Sequence, residues 1–145
     1  MTAEAPPPRR QTGRPPRVVV SRAAMARLEG LAEGAMQRDR ALADRLLDEL
    51  GRARVVEPAK MPADVVAIGN AVTYRDEATQ LERTISLVYP EDADIARERV
   101  SVMTPLGVAL LGLAEGASFH WDTRAGERRR LTIVRVAPAE AGAPG

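Results

Sequence analysis

A chain of 145 residues, 45% hydrophobic and 28% charged, has room for one or two small domains and enough apolar side chain to bury a core. The absence of cysteine excludes disulfides and thiolate metal sites, and a single histidine leaves no imidazole cluster. No apolar run approaches the ~18 residues of a membrane span and no signal core precedes the body, so the composition predicts a cytoplasmic protein without metal, cofactor or membrane attachment.

The net charge of +1 hides an asymmetry, because Arg9, Arg10, Arg14 and Arg17 face only Glu4 within residues 1–17. That stretch, with Pro15 and Pro16 favouring extended backbone, is predicted to be a disordered basic tail. Weak electrostatic contact with nucleic acid is the lesser reading of it. From Val18 the pattern becomes helical. Ser21 is placed to cap a helix with apolar residues at Ala24, Leu28, Leu31 and Ala35, and Leu42, Leu46, Leu47, Leu50 and Ala53 repeat the spacing. Gly34 to Asp39 interrupts the two, with Asp39 as the second cap, so residues 18–57 are predicted to form a short antiparallel helical hairpin, a coiled coil running from Ser21 to about Arg54. Its tip carries Glu33 and Asp39, the latter flanked by Arg38 and Arg40. Asp44, Asp48 and Glu49 read as a solvated face paired with Arg40, Arg45 and Arg52.

Pro58 and Pro62 mark residues 58–64 as a linker, after which residues 65–137 are strand-rich. Strands are predicted at Ala71–Arg75, Arg83–Tyr89, Arg99–Val102, Ser118–Asp122 and Arg130–Val136. Between the third and fourth, Thr104 can cap a helix with Pro105 at its first position. Leu106, Ala109, Leu110 and Leu113 would then form one stripe, and Gly116 the stop. Phe119 and Trp121 share one strand face and His120 takes the other, where a lone histidine is a surface residue rather than a catalyst. Arg128 to Arg130 follow Gly126 as a solvated turn, and residues 138–145 should fray. The fold class is α+β.

The order from Val100 to Trp121, strand, Thr-Pro-Leu-Gly, apolar helix, glycine, strand, resembles the C-terminal domain of the Gre-type transcription factors. Ile68 to Tyr74, Arg83 to Tyr89 and the acidic Pro90-Glu-Asp-Ala-Asp94 extend the likeness upstream. Leu50 to Ala53, Met61 to Val66, Leu87 to Pro90 and His120-Trp121 are similar to the short, Rnk-type branch of that family; together the resemblance covers about residues 18–136. It implies an FKBP-like twisted antiparallel sheet with one covering helix. It also implies RNA polymerase as the partner, contacted at the secondary channel through Met103, Thr104, Pro105 and Leu106, with Met103 standing where Gre factors often carry an acid. The branch further implies an effect on nucleoside diphosphate kinase levels. Gre factors place acids at the tip of a long hairpin to help hold a catalytic Mg²⁺. Arms of about 14 to 17 residues reach only roughly 20 to 25 Å. The expectation is therefore a monomeric, non-catalytic regulator that competes with other channel factors. Two alternatives stand beside it: a Gre-type transcript-cleavage factor, and an FKBP-type prolyl isomerase, for which Tyr74, Tyr89, Phe119 and Trp121 are too few aromatics to wall a proline pocket.

Overall fold

Among the described residues, each of the three α-helices starts on a side chain that accepts a hydrogen bond from its first turn. A computed structural model describes residues 18–122 and 128–138, and the side chains of Trp121 and Asp122 fall outside that description. The expectations for residues 1–17, for Gly126, for the Trp121 side chain and for the chain beyond Pro138 therefore lie outside the described residues.

A short strand, β1 (Val19–Ser21), leads into helix α1 (Arg22–Ala35), where the Ser21 hydroxyl accepts the Ala24 N–H at 3.1 Å. Helix α2 (Arg40–Gly51) is capped in the same way, the Asp39 carboxylate accepting the Leu42 N–H at 3.1 Å. Leu28, Ala32 and Ala35 of α1 and Ala43, Leu46 and Leu50 of α2 are buried. Alanines within each stripe let the helices approach closely, and each fully buried leucine contributes about 1.5–3 kcal/mol relative to exposure.

The hairpin ends earlier than its apolar spacing predicts. Helix α2 stops at Gly51, and Arg54–Val56 form a strand, β2, that pairs in parallel with β1. Two intervening helices reverse the chain twice, so the strands at the hairpin's base run the same way. The β-branched Val55 and Val56 suit that extended backbone. The linker contains a 3₁₀ turn, Pro58–Lys60.

The main sheet comprises β3 (Ala71–Asp76), β4 (Leu81–Val88), β5 (Arg99–Ser101), β6 (Ser118–Asp122) and β7 (Arg128–Ala137), in the order β5-β4-β3-β7-β6. Three of its pairings are antiparallel, with a register shift between Thr73 and Tyr74 where β3 meets β7. The fourth departs from the expected antiparallel sheet: β5 runs parallel to β4, pairing Leu87 with Val100. The segment from Tyr89 to Glu98, with two 3₁₀ turns, carries the chain back to the start of that edge.

Helix α3 (Pro105–Leu110) is also shorter than its stripe. It ends at Gly112, whose φ of +79° is left-handed, and not at Gly116. A side chain at Gly112 would also meet Val18 Cγ1 at 2.4 Å. Leu113 lies beyond the helix yet stays buried, because the turn folds it back on the same core. That core is continuous: Val18, Val20, Leu28 and Leu46 from the hairpin and its base pack in one cluster with Val72, Ile85, Leu110 and Ile133.

Candidate functional site

The loop joining β5 to α3 is closed by its own hydroxyls. Val102 is fully buried and its N–H donates to the Val88 carbonyl at 2.8 Å, which fixes the loop's base. Ser101 Oγ accepts the Met103 N–H at 2.9 Å. The Thr104 hydroxyl donates to the Ser101 carbonyl at 2.8 Å and accepts the Gly107 N–H at 3.0 Å, so one side chain both caps the helix and ties the loop shut. Gly107 is required by contact: a Cβ there would lie 2.3 Å from the Ser101 carbonyl oxygen and 2.7 Å from Val102 Cα.

All four residues expected to contact a partner thus sit on one rigid turn, in different roles. Pro105 is exposed, Met103 and Leu106 are half-buried and lean on the core, and the Thr104 hydroxyl is consumed by structure. The surface presented is apolar and adaptable, with no nucleophile or base.

The hairpin tip is arranged differently. Asp39 spends its carboxylate on capping α2, and the Arg38 guanidinium donates to the Gly34 carbonyl at 2.9 Å, satisfying an end of α1. Glu33 is exposed, and Arg40 pairs with Asp44 at 3.7 Å. With 14 and 12 residues in the helices, the arms extend about 21 and 18 Å at ~1.5 Å per residue. Among the described residues no group of three or more His, Asp or Glu is placed to hold a metal ion. His120 is exposed on β6 opposite Arg130.

Two arrangements were not legible in the sequence. Arg129, expected in a solvated turn, is only partly exposed and pairs with Asp76 across β3 and β7 at 2.6 Å, which holds the Asp76 carboxyl below its usual range. Beside it the Thr132 hydroxyl and Arg75 hydrogen-bond Glu77, lowering its carboxyl from 4.5 to about 2. The second is at the junction of hairpin and sheet. Arg27 lies over Tyr89, whose hydroxyl is pushed up by burial and partly drawn back by that cation. An open, mostly apolar groove of about 410 Å³ runs beside this pair, lined by Ser21, Ala24, Met61 and Ile68 among others.

Residues 61–138 match the family described as "Transcription elongation factor, GreA/GreB, C-term", and residues 16–56 match "Rnk N-terminus". The chain belongs to the GreA/GreB family, as a transcription-elongation-factor-like regulator with the short N-terminus of the Rnk branch. It is 33% identical over 121 residues to the regulator of nucleoside diphosphate kinase of Escherichia coli, covering 83% of this chain and 89% of that protein. With transcription elongation factor GreA of Azorhizobium caulinodans it shares 36% identity over 91 residues, 63% of this chain but only 57% of the relative's length. Among solved structures, a prokaryotic transcription elongation factor GreA/GreB from Nitrosomonas europaea superposes with a TM-score of 0.69 at 38% identity, covering 84% of this chain and 98% of that one. Among the described residues no helix is long and apolar enough to cross a membrane.

Proposed function

We propose that this protein is a non-catalytic, cytoplasmic regulator that binds RNA polymerase as a monomer. It docks at the rim of the secondary channel through Met103, Thr104, Pro105 and Leu106 and competes with longer channel factors. The observation that carries this reading is a mismatch within one molecule. The Gre-type domain keeps a rigid, hydroxyl-closed loop with an exposed proline, while the hairpin fixed to it has arms of only 14 and 12 residues. Direct coordination of Mg²⁺ requires carboxylate oxygens at about 2.0–2.1 Å from the ion. The tip falls short in length, and Asp39 is engaged as a cap between two arginines.

Displacement of a fluorescent long-hairpin channel factor from core RNA polymerase tests the docking half of the proposal. The parent protein should displace it, and the double variant Met103→Ser, Pro105→Ala should do so far less well. Equal displacement by a folded double variant would mean that the docking loop has been misassigned.

A further inference from the structure

The main sheet has one covered face and one open face. Val72, Ile85, Leu87, Leu131 and Ile133 turn to the core and are buried. Strand alternation sends Thr73, Thr84, Ser118, Thr132, Arg130 and Arg135 to the other side, where no described residue is buried. One wet face is ordinary for antiparallel strands, but the charge on this one is not. Residues 18–145 hold 17 Lys and Arg against 19 Asp and Glu, so the body as a whole is slightly acidic. On the open face the acids are spent. Glu77 and Glu82 both pair with Arg75, at 3.2 and 3.6 Å, and Glu77 also accepts from the Thr132 hydroxyl. Arg130 and Arg135, both exposed on β7, meet no carboxylate among the described residues.

Hydroxyls stand ready beside these cations. Thr73, the register partner of Arg135, hydrogen-bonds Thr84 at 2.7 Å. In such a pair one hydroxyl donates and the other keeps its proton for an acceptor above the sheet. Ser118 lies 2.8 Å from Thr132, whose own proton goes to Glu77, so Ser118 donates to Thr132 and retains a lone pair. Arg130 and Arg135 are separated along β7 by roughly 16 Å of strand rise, too far to converge on one compact anion and suited to a chain of them. Among the described side chains no aromatic stands on this face, because Tyr74 and Phe119 pack against the core. The face thus lacks the anchors that the centre of a protein–protein contact uses, and its polar, positive surface is of the kind that meets nucleic acid. We propose that this open face binds single-stranded RNA, with Arg130 and Arg135 on phosphates of one strand and the Thr73–Thr84 and Ser118 hydroxyls on ribose 2′-hydroxyls, which both donate and accept. Binding is independent of sequence, since no described side chain on the face stacks on a base. The site is separate from the Met103–Leu106 loop and does not rest on the docking reading.

Fluorescence anisotropy of a labelled oligouridylate with the full-length protein, between about 50 and 200 mM salt, tests the proposal. The Arg130→Gln, Arg135→Gln double variant should bind about tenfold more weakly at the lower salt. Its salt slope should be shallower by about 1.4, for two single-strand phosphate contacts at about 0.7 each. Arg130→Lys, Arg135→Lys should restore most of the binding. An Arg45→Gln, Arg54→Gln variant removes the same charge from exposed positions off the face and should change affinity less than about twofold. Thr73→Val, Thr84→Val should weaken binding of the RNA and leave that of the matching deoxyoligonucleotide unchanged. All these positions are exposed or half-buried, so thermal unfolding of each variant should stay near the parent. Arg9, Arg10, Arg14 and Arg17 also attract RNA by charge, so a variant with all four changed to Gln is measured beside the others. Binding that is lost in that variant and unchanged in the β7 double variant overturns the proposal, as does equal weakening by Arg45→Gln, Arg54→Gln. Equal affinity of the parent for the RNA and its deoxy counterpart removes RNA as the occupant. Displacement of the RNA by polyglutamate at matched charge would assign the face to an acidic protein instead.

Discussion

The Arg27 guanidinium carbon lies 3.8 Å from the centre of the Tyr89 ring, and the same guanidinium pairs with Glu91. Helix α1 is thereby fastened to the segment that follows β4, which ties the hairpin to the domain that carries the Met103–Leu106 loop. A cation over an aromatic face contributes about 0.5–1 kcal/mol at exposed sites, more than a solvated ion pair generally does. Arg27→Ala should therefore cost about 0.5–1 kcal/mol in urea unfolding, and Glu91→Gln less. A larger loss from Glu91→Gln would place the fastening in the ion pair and not in the ring.

The glycines of α1 and α3 should respond oppositely to the same change. A methyl at Gly30 or Gly34 meets nothing within 4 Å, so alanine there should stabilise the helix by up to ~1 kcal/mol. At Gly107 the methyl would press on the Ser101 carbonyl and the Val102 backbone, neither of which can rotate away. Gly107→Ala should lose on the order of 1–3 kcal/mol and weaken polymerase binding as the loop shifts. A neutral Gly107→Ala in thermal unfolding and binding would show that the loop is softer than its contacts indicate.

Acid should act on the Glu77 cluster. Its carboxyl sits at about 2 in the fold against an ordinary 4.5, because Thr132 and Arg75 hydrogen-bond the charged form. A depressed folded value means that the stabilisation is complete above the ordinary value and is lost as pH falls from about 4.5 through about 2. Glu77→Gln should flatten the fall in stability across that window. Carboxyl-carbon NMR titration of Thr132→Val should show Glu77 moving back toward 4.5; an unmoved titration would assign the shift elsewhere.

What the sequence disclosed was the chemistry that acts locally. Ser21, Asp39 and Thr104 could be read as caps because each bonds an N–H three residues on, and Pro105 because its fixed φ suits a first helical position. The Thr-Pro-Leu-Gly turn was legible as a helix start, although not that the Thr104 hydroxyl also donates back to the Ser101 carbonyl. Strands β1 and β2 escaped notice: three residues carry no usable period, and their pairing joins Val19 to Arg54 across two helices. The Arg129–Asp76 pair depends on register between β3 and β7.

The most direct test of the central claim is a stalled elongation complex with 3′-labelled RNA and Mg²⁺, preloaded with a long-hairpin cleavage factor and titrated with this protein. Release of short labelled fragments should fall toward the uncatalysed level as the protein is added, and the protein alone should release none. Undiminished cleavage at saturating protein, or fragments released by the protein alone and lost in a Glu33→Ala, Asp39→Ala variant, would contradict it.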